Sequence, residues 1–353
     1  MPQALVDSIL SRRLLFVVGK GGTGKSSVAA ALALLASQRR RHVLIIDVDT
    51  KGDVARALGH QPGGFSPLLV APHIYVVELH REASLQEYLS VYYHIPRLAR
   101  IGPLARVLDF VATSVPGASD MLVIGKIAYE ERRCRKDGSP VWDQIIVDSA
   151  ASGHALPQIA AARSMLGVVR GGVMQSQVGW IDAIVSDHKK TAMVVTATPE
   201  EMAVVEAIDL IRHAHLEAGI AVGCVVLNRM VHSRATVLAL EQLSPGDLLM
   251  GGNPAPAPGA GPGPATGRGG KGHHRTAGGH PQDWDKDKPM QIAEAVLSGA
   301  QFVAALAEEA DVQQKQLLDS LRVPLADIPL LPGLLPGPAM TRAMAHELER
   351  SQR

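Results

Sequence analysis

An α/β fold with a mostly parallel sheet and helices on both faces is predicted for this 353-residue sequence by three observations. Short apolar runs alternate with helix-length stretches, the order that builds parallel sheets from strand–helix–strand units. Most of these runs are continuously apolar rather than alternating, as strands buried on both faces are. The first run ends in a glycine turn that opens directly into a helix-forming stretch.

That first run, Leu14–Val18, is a short buried strand. It feeds Gly19-Lys20-Gly21-Gly22-Thr23-Gly24-Lys25-Ser26-Ser27, in which Gly19, Gly24, Lys25 and Ser26 fit G-x-x-x-x-G-K-[ST]. Glycines let the backbone turn tightly and aim its N–H groups at phosphate oxygens. Lys25 is expected to reach the β- and γ-phosphates of a nucleotide, and the Ser26 hydroxyl to ligate Mg²⁺. The helix that follows, Ser27–Gln38, presents its positive end to the same anion. The architecture expected is therefore a three-layer P-loop NTPase. Arg39, Arg40 and Arg41 fall where cations suit the other end of that helix dipole.

Val43–Ile46 is the second strand, and Asp47-Val48-Asp49-Thr50-Lys51-Gly52-Asp53 follows it. These carboxylates emerge at the C-terminal edge of the sheet, where open α/β folds bind ligands. Ile74–Leu79 reads as a strand, and residues 84–133 read as a mostly helical insertion broken by Pro96, Pro103 and Pro116. Gln144–Asp148 is the next core strand. Its terminal Asp148 is placed to hold Mg²⁺ through a water. Ala192–Thr196 is another strand. After it, Thr198 is expected to cap a helix with Pro199 in the first turn and Glu201 completing a capping box. Ala221–Leu227 precedes Asn228-Arg229, Ile292–Leu321 is helical, and Val323–Pro329 looks like a last strand. Between them, Gly251–Gln282 is too rich in Gly and Pro to bury a core and reads as a disordered insertion. One ATPase-type domain is thus expected from residues 1–250 and 283–353.

Composition narrows the function classes. The formal net charge is +1, and aromatic residues are 3%, which disfavours a nucleic-acid footprint or base-stacking platform. The two cysteines, Cys134 and Cys224, form no CxxC pair, so neither a disulfide framework nor a zinc cluster is suggested. Met1–Arg13 lacks the apolar core of a signal peptide, and no stretch reads as long and apolar enough to span a bilayer. A cytoplasmic setting without stable membrane insertion is expected.

The G-K-G-G-T-G-K-S loop resembles the deviant P-loop of the ParA, MinD, nitrogenase-iron-protein and ArsA/Get families. In those relatives the early lysine crosses a dimer interface to the partner's nucleotide, which implies that role for Lys20. The segment Asp148-Ser149-Ala150-Ala151-Ser152-Gly153-His154 resembles the second switch of the ArsA/Get family, with Ala151 and Ser152 replacing the usual proline and threonine. Thr198-Pro199-Glu200-Glu201 is similar to a segment of the same family. The resemblance covers most of residues 12–230 and 290–335 and implies an ATP-hydrolysing, Mg²⁺-dependent switch.

By that resemblance, Asp49 places the attacking water and contributes near the metal, Gly153 offers its N–H to the γ-phosphate, and Asn228 recognises adenine. It also implies a dimer, either of identical chains or with a second ArsA/Get-like ATPase, and a protein client. Arsenite transport is poorly supported, because Cys134 and Cys224 stand alone. Two alternatives stay open: a ParA/MinD-type positioning ATPase, favoured by the Asp47–Gly52 pattern, and a catalytically weak nucleotide-binding subunit of a heterodimer.

Overall fold

The structure, a computed structural model, describes residues 4–48, 51–79, 118–169, 171–231 and 288–351. Asp49, most of the expected 84–133 insertion and all of 251–282 lie outside the described residues. The chain divides into two compact units. One is Met1–Val231 with Glu309–Arg353, and the other is His232–Glu308.

The first unit is built on an eight-stranded sheet. In chain order the strands are β1 (Leu14–Gly19), β2 (Val43–Asp47), β3 (Leu68–Ala71), β4 (Ile74–Glu78), β5 (Gln144–Ala151), β6 (Thr191–Ala197), β7 (Val222–Met230) and β8 (Leu325–Pro329). Their spatial order is β3-β4-β2-β5-β1-β6-β7-β8. Every pairing is parallel except β3 with β4 at one edge. The central strands β1, β2 and β6 are buried at every residue, which explains their unbroken apolar runs.

Alternation along those strands still sorts side chains between two cores. Leu14, Phe16, Val18, Leu44 and Ile46 face one side. They pack with apolar residues of α4 (Ala118–Arg132), α5 (Ser152–Leu166), α6 (Gly172–Val185) and α7 (Glu201–His213). Leu15, Val17, Val43 and Ile45 face the other side, against α1 (Ala4–Leu10), α2 (Lys25–Gln38), α3 (Asp53–Ala57) and α9 (Pro338–Arg350). The result is the expected three-layer α/β/α arrangement.

Several local expectations are corrected. The helix after β6 starts at Glu201 with Glu200 as its N-cap and no side-chain cap bond, so Thr198 does not cap it. The parallel ladder with β7 runs to Ala197, and Thr198-Pro199-Glu200 are spent leaving the sheet. The arginines after α2 do more than solvate a helix end. Arg39 pairs with Asp7 of α1 and Glu349 of α9, while Arg41 donates to the Leu10 carbonyl and to Gln144. Arg39 ties both terminal helices to the end of α2, and Arg41 ties α1 to β5.

A long helix, α8 (Lys288–Ser320), runs before β8. Its stretch Met290–Ser320 is long and apolar enough to cross a membrane by length and composition, contrary to the reading from sequence. Alanines such as Ala293, Ala300, Ala304 and Ala307 raise its hydropathy, although Gln291, Glu294 and Gln301 interrupt it. Ala310 and Leu317, near its C-terminal end, belong to the core of the first unit.

Candidate nucleotide site

β1 delivers its chain to the C-terminal edge of the sheet between β5 and β6, and the glycine loop begins there. Gly22 and Gly24 have φ of +87° and +93°, in the region that L side chains avoid. Gly24 is the N-cap of α2 and has no side chain to satisfy the helix's first N–H groups, which leaves them to a ligand.

The loop is braced from beneath. The Lys20 carbonyl accepts from the Thr23 hydroxyl at 2.8 Å and from Lys25 Nζ at 3.4 Å. The Thr23 and Thr196 hydroxyls lie 3.0 Å apart, and Thr196 Oγ1 donates to the Val18 carbonyl at 3.2 Å. Asn228 Nδ2 donates to the Thr23 carbonyl at 2.9 Å, while Asn228 Oδ1 accepts from the Arg229 N–H at 3.0 Å. Asn228, proposed from sequence to read adenine, is buried and holds the loop with its amide. An amide nitrogen carries two donor hydrogens and its oxygen two lone pairs, so one of each remains for a second partner. Asn228→Ala should remove both bonds and leave the Thr23 carbonyl unmatched in a buried place. We expect a stability loss of about 1–3 kcal/mol in urea denaturation, with a weaker grip on nucleotide in calorimetric titration.

A cavity of about 360 Å³ opens above the loop. It gathers Gly21, Gly22, Gly24, Lys25, Ser26 and Ser27 with Asp148. Asp47, the last residue of β2, and Asp148, within β5, stand side by side, paired in register and buried. Asp47 Oδ2 accepts from the Gly52 N–H at 3.2 Å, which folds the chain back after β2. A hydroxyl and carboxylates facing one small cavity form the all-oxygen donor set that suits Mg²⁺, a cation that usually keeps waters and phosphate oxygens as its other ligands. Among the described residues no group of three or more His, Cys, Asp or Glu is gathered as a metal cage.

Of the other residues singled out from sequence, Gly19 and Thr23 lie beneath the cradle. Lys20 and Gly153 do not line the cavity. A Cβ added at Gly153 would meet nothing within 4 Å, so nothing in the described protein requires glycine there. Lys20 instead extends to Glu206 of α7, with Nζ 2.8 Å from Oε1. This pairing, helped by the Ser152 hydroxyl, holds the Glu206 carboxyl below its usual range.

The sequence reading missed the opposite wall. Lys51, Asp53 and Arg56 line it together with Pro336, Gly337, Met340 and Thr341 of the C-terminal segment. Thr341 Oγ1 donates to the Ala57 carbonyl at 2.7 Å, fastening α9 to α3. No local motif marks Thr341, because it reaches the site only through the packing of α9 on α2 and α3.

A glycine cradle at the end of a central parallel strand, with a buried lysine and two aspartates on neighbouring strands, defines a P-loop nucleotide-hydrolysing protein. Residues 12–170 match the family model described as Anion-transporting ATPase. The chain is similar to "ATPase BagA" of Mycobacterium tuberculosis, at 28% identity over 67% of this chain and 70% of the relative. It is also similar to "ATPase get3" of Schizosaccharomyces japonicus, at 28% identity over 41% of this chain and 43% of that one. "ATPase GET3" of Podospora anserina matches at 26% over 44% of each. Through residues 12–170 the chain resembles the ArsA/Get-type P-loop ATPases, and it is an enzyme that hydrolyses ATP.

Proposed function

We propose that this ATPase works as a Mg²⁺-dependent dimeric switch that couples ATP hydrolysis to a change of shape on a protein partner or client. The observation that carries this reading is the cradle itself: Lys25, Ser26 and Asp148 share one cavity with the loop glycines. In the proposal the backbone from Gly19 to Ser27 holds the phosphates, and Lys25 neutralises charge on the β- and γ-phosphates. Ser26 and Asp148 hold Mg²⁺, with Asp49 close by. The bound metal supplies charge neutralisation between the phosphates. Asp49 places the water in line with the γ-phosphate, Gly153 touches the γ-phosphate through its N–H, and Asn228 contacts adenine. Lys20 reaches the nucleotide of the facing subunit, which is either a second copy or a second ATPase of the same type.

Residues 1–250 and 283–353 form the ATPase domain in this reading, with 84–133 a helical subdomain and 251–282 a disordered insertion. The protein acts in the cytoplasm without stable membrane insertion and without nucleic acid, in keeping with its near-neutral charge.

The test is turnover against binding. Asp49→Asn keeps the shape of the side chain but cannot polarise a water. It should hold Mg²⁺–ATP with wild-type affinity in a calorimetric titration and lose about a hundredfold in steady-state phosphate release. If phosphate release stays at the wild-type rate, Asp49 is not the group that places the water.

A further inference from the structure

We infer that Glu206 is a resting-state tether for Lys20, a positioning residue that keeps the loop lysine on its own subunit and links it to the start of α5. The inference rests on the reading of Lys20 as the residue that reaches a facing subunit.

The geometry is a bridge between two loops of the nucleotide site. One Glu206 oxygen meets Lys20 Nζ at 2.8 Å, and the other accepts from the Ser152 hydroxyl at 3.0 Å. Both carboxylate oxygens are therefore engaged, one by the phosphate loop and one by the first residue of α5. Ser152 belongs to the segment after Asp148 that resembles a second switch. The backbone of Lys20 is fixed, since its carbonyl accepts from Thr23 and Lys25. Only its side chain is left to swing, and a lysine stem carries four carbons of reach.

The strength of the pair also suits a tether. Both side chains are 35% exposed, and exposed ion pairs contribute little to stability. A deeply buried pair would be costly to separate, because each charge would be left without water. This one can open when a triphosphate offers Lys20 a stronger counter-ion. Glu206 otherwise has no place in the cavity, and α7 does not need it for packing, because Ala203, Val204, Ala207 and Ile208 form the buried face.

The test uses the full chain and three variants: Glu206→Gln, Lys20→Ala and Ser152→Ala. Glutamine keeps the size of the side chain and its bond from Ser152 while removing the charge. In nucleotide-free protein, Lys20 should be acylated by an amine-reactive reagent about two- to fivefold faster in Glu206→Gln, the size an exposed ion pair commands. The exposed Lys136 and Lys189 should label at unchanged rates, and Ser152→Ala should speed Lys20 labelling less than Glu206→Gln does.

In ATP turnover, Glu206→Gln should reach half-maximal activity at a protein concentration lower by a similar factor, with the same rate at saturating protein. Unchanged labelling of Lys20 overturns the tether. A fall in the saturating rate of Glu206→Gln also overturns it, by putting Glu206 in the working site. Lys20→Ala judges the underlying reading separately. If it turns over ATP as the wild type does, the lysine does not serve a facing nucleotide, whatever the labelling shows.

Discussion

Lys25→Ala should leave a folded protein whose affinity for Mg²⁺–ATP is lower by about a thousandfold. Lys25 is only 9% exposed, and its Nζ lies 3.4 Å from the Lys20 carbonyl, where Lys25 lines the cavity with the loop glycines. It sits at the first position of α2, where the helix's own N–H groups already favour an anion. Unit charges about 4 Å apart at a partly buried site interact with about 4 kcal/mol at an effective dielectric of about 20. That energy corresponds to about three powers of ten in a binding constant. Removing the ammonium forfeits it, while the cradle's N–H groups keep a residual grip. Isothermal titration with Mg²⁺–ATP measures the loss, and an unchanged circular dichroism spectrum shows that the fold survives. An affinity within a few-fold of the wild type would mean that the cavity over this loop does not hold the triphosphate.

Much of this site is legible in the sequence because its signals are local. The loop glycines, Lys25 and Ser26 are contiguous, and the positive φ of Gly22 and Gly24 is what the glycines are for. Asp148 is found by ending the apolar run Ile145–Val147, although β5 continues past it to Ala151. The central strands are equally plain, since burial on both faces leaves Leu14–Val18 and Val43–Ile46 without a polar residue to confuse them.

What stays hidden depends on distant packing. Thr341 and Met340 reach the cavity only because α9 folds back over α2 and α3. Lys20 and Glu206 are far apart in sequence, so no spacing rule pairs them. Asn228 reads as a base-recognising amide, and its further hold on the Thr23 carbonyl beneath the loop follows only from where β7 carries it. The short antiparallel edge strand β3 has exposed Leu68 and Leu69 and no alternation to announce it. The cap expected at Thr198 fails because the ladder runs to Ala197, and Thr198–Glu200 carry the chain out of the sheet before the helix starts at Glu201. The tertiary context decides each of these cases, and a single sequence carries no record of it.

Gly19→Ala tests the join between sheet and cradle, and it should be the most damaging single methyl in the site. Gly19 is the last residue of β1, paired with Thr196 on one side and with Ala151 across a register shift on the other. A Cβ there would stand 2.2 Å from the Thr196 carbonyl oxygen and 2.4 Å from its Oγ1. The first of these is backbone in the parallel ladder and cannot yield without parting β1 from β6. The second is held by Val18 and Thr23, so pushing it aside loosens the loop itself. Overpacking of this kind typically costs about 1–3 kcal/mol where side chains can adjust. Here the obstacle is main chain, so we expect about 3 kcal/mol or more, a large share of the roughly 5–15 kcal/mol that keeps a domain folded. Gly21→Ala is the control, because a Cβ at Gly21 meets nothing within 4 Å. Urea denaturation should show Gly21→Ala close to the wild type and Gly19→Ala unfolding at a much lower midpoint, with nucleotide binding lost. Equal midpoints for all three proteins would mean that β1 does not enter the loop against Thr196, and the cradle would then have to be held by other contacts.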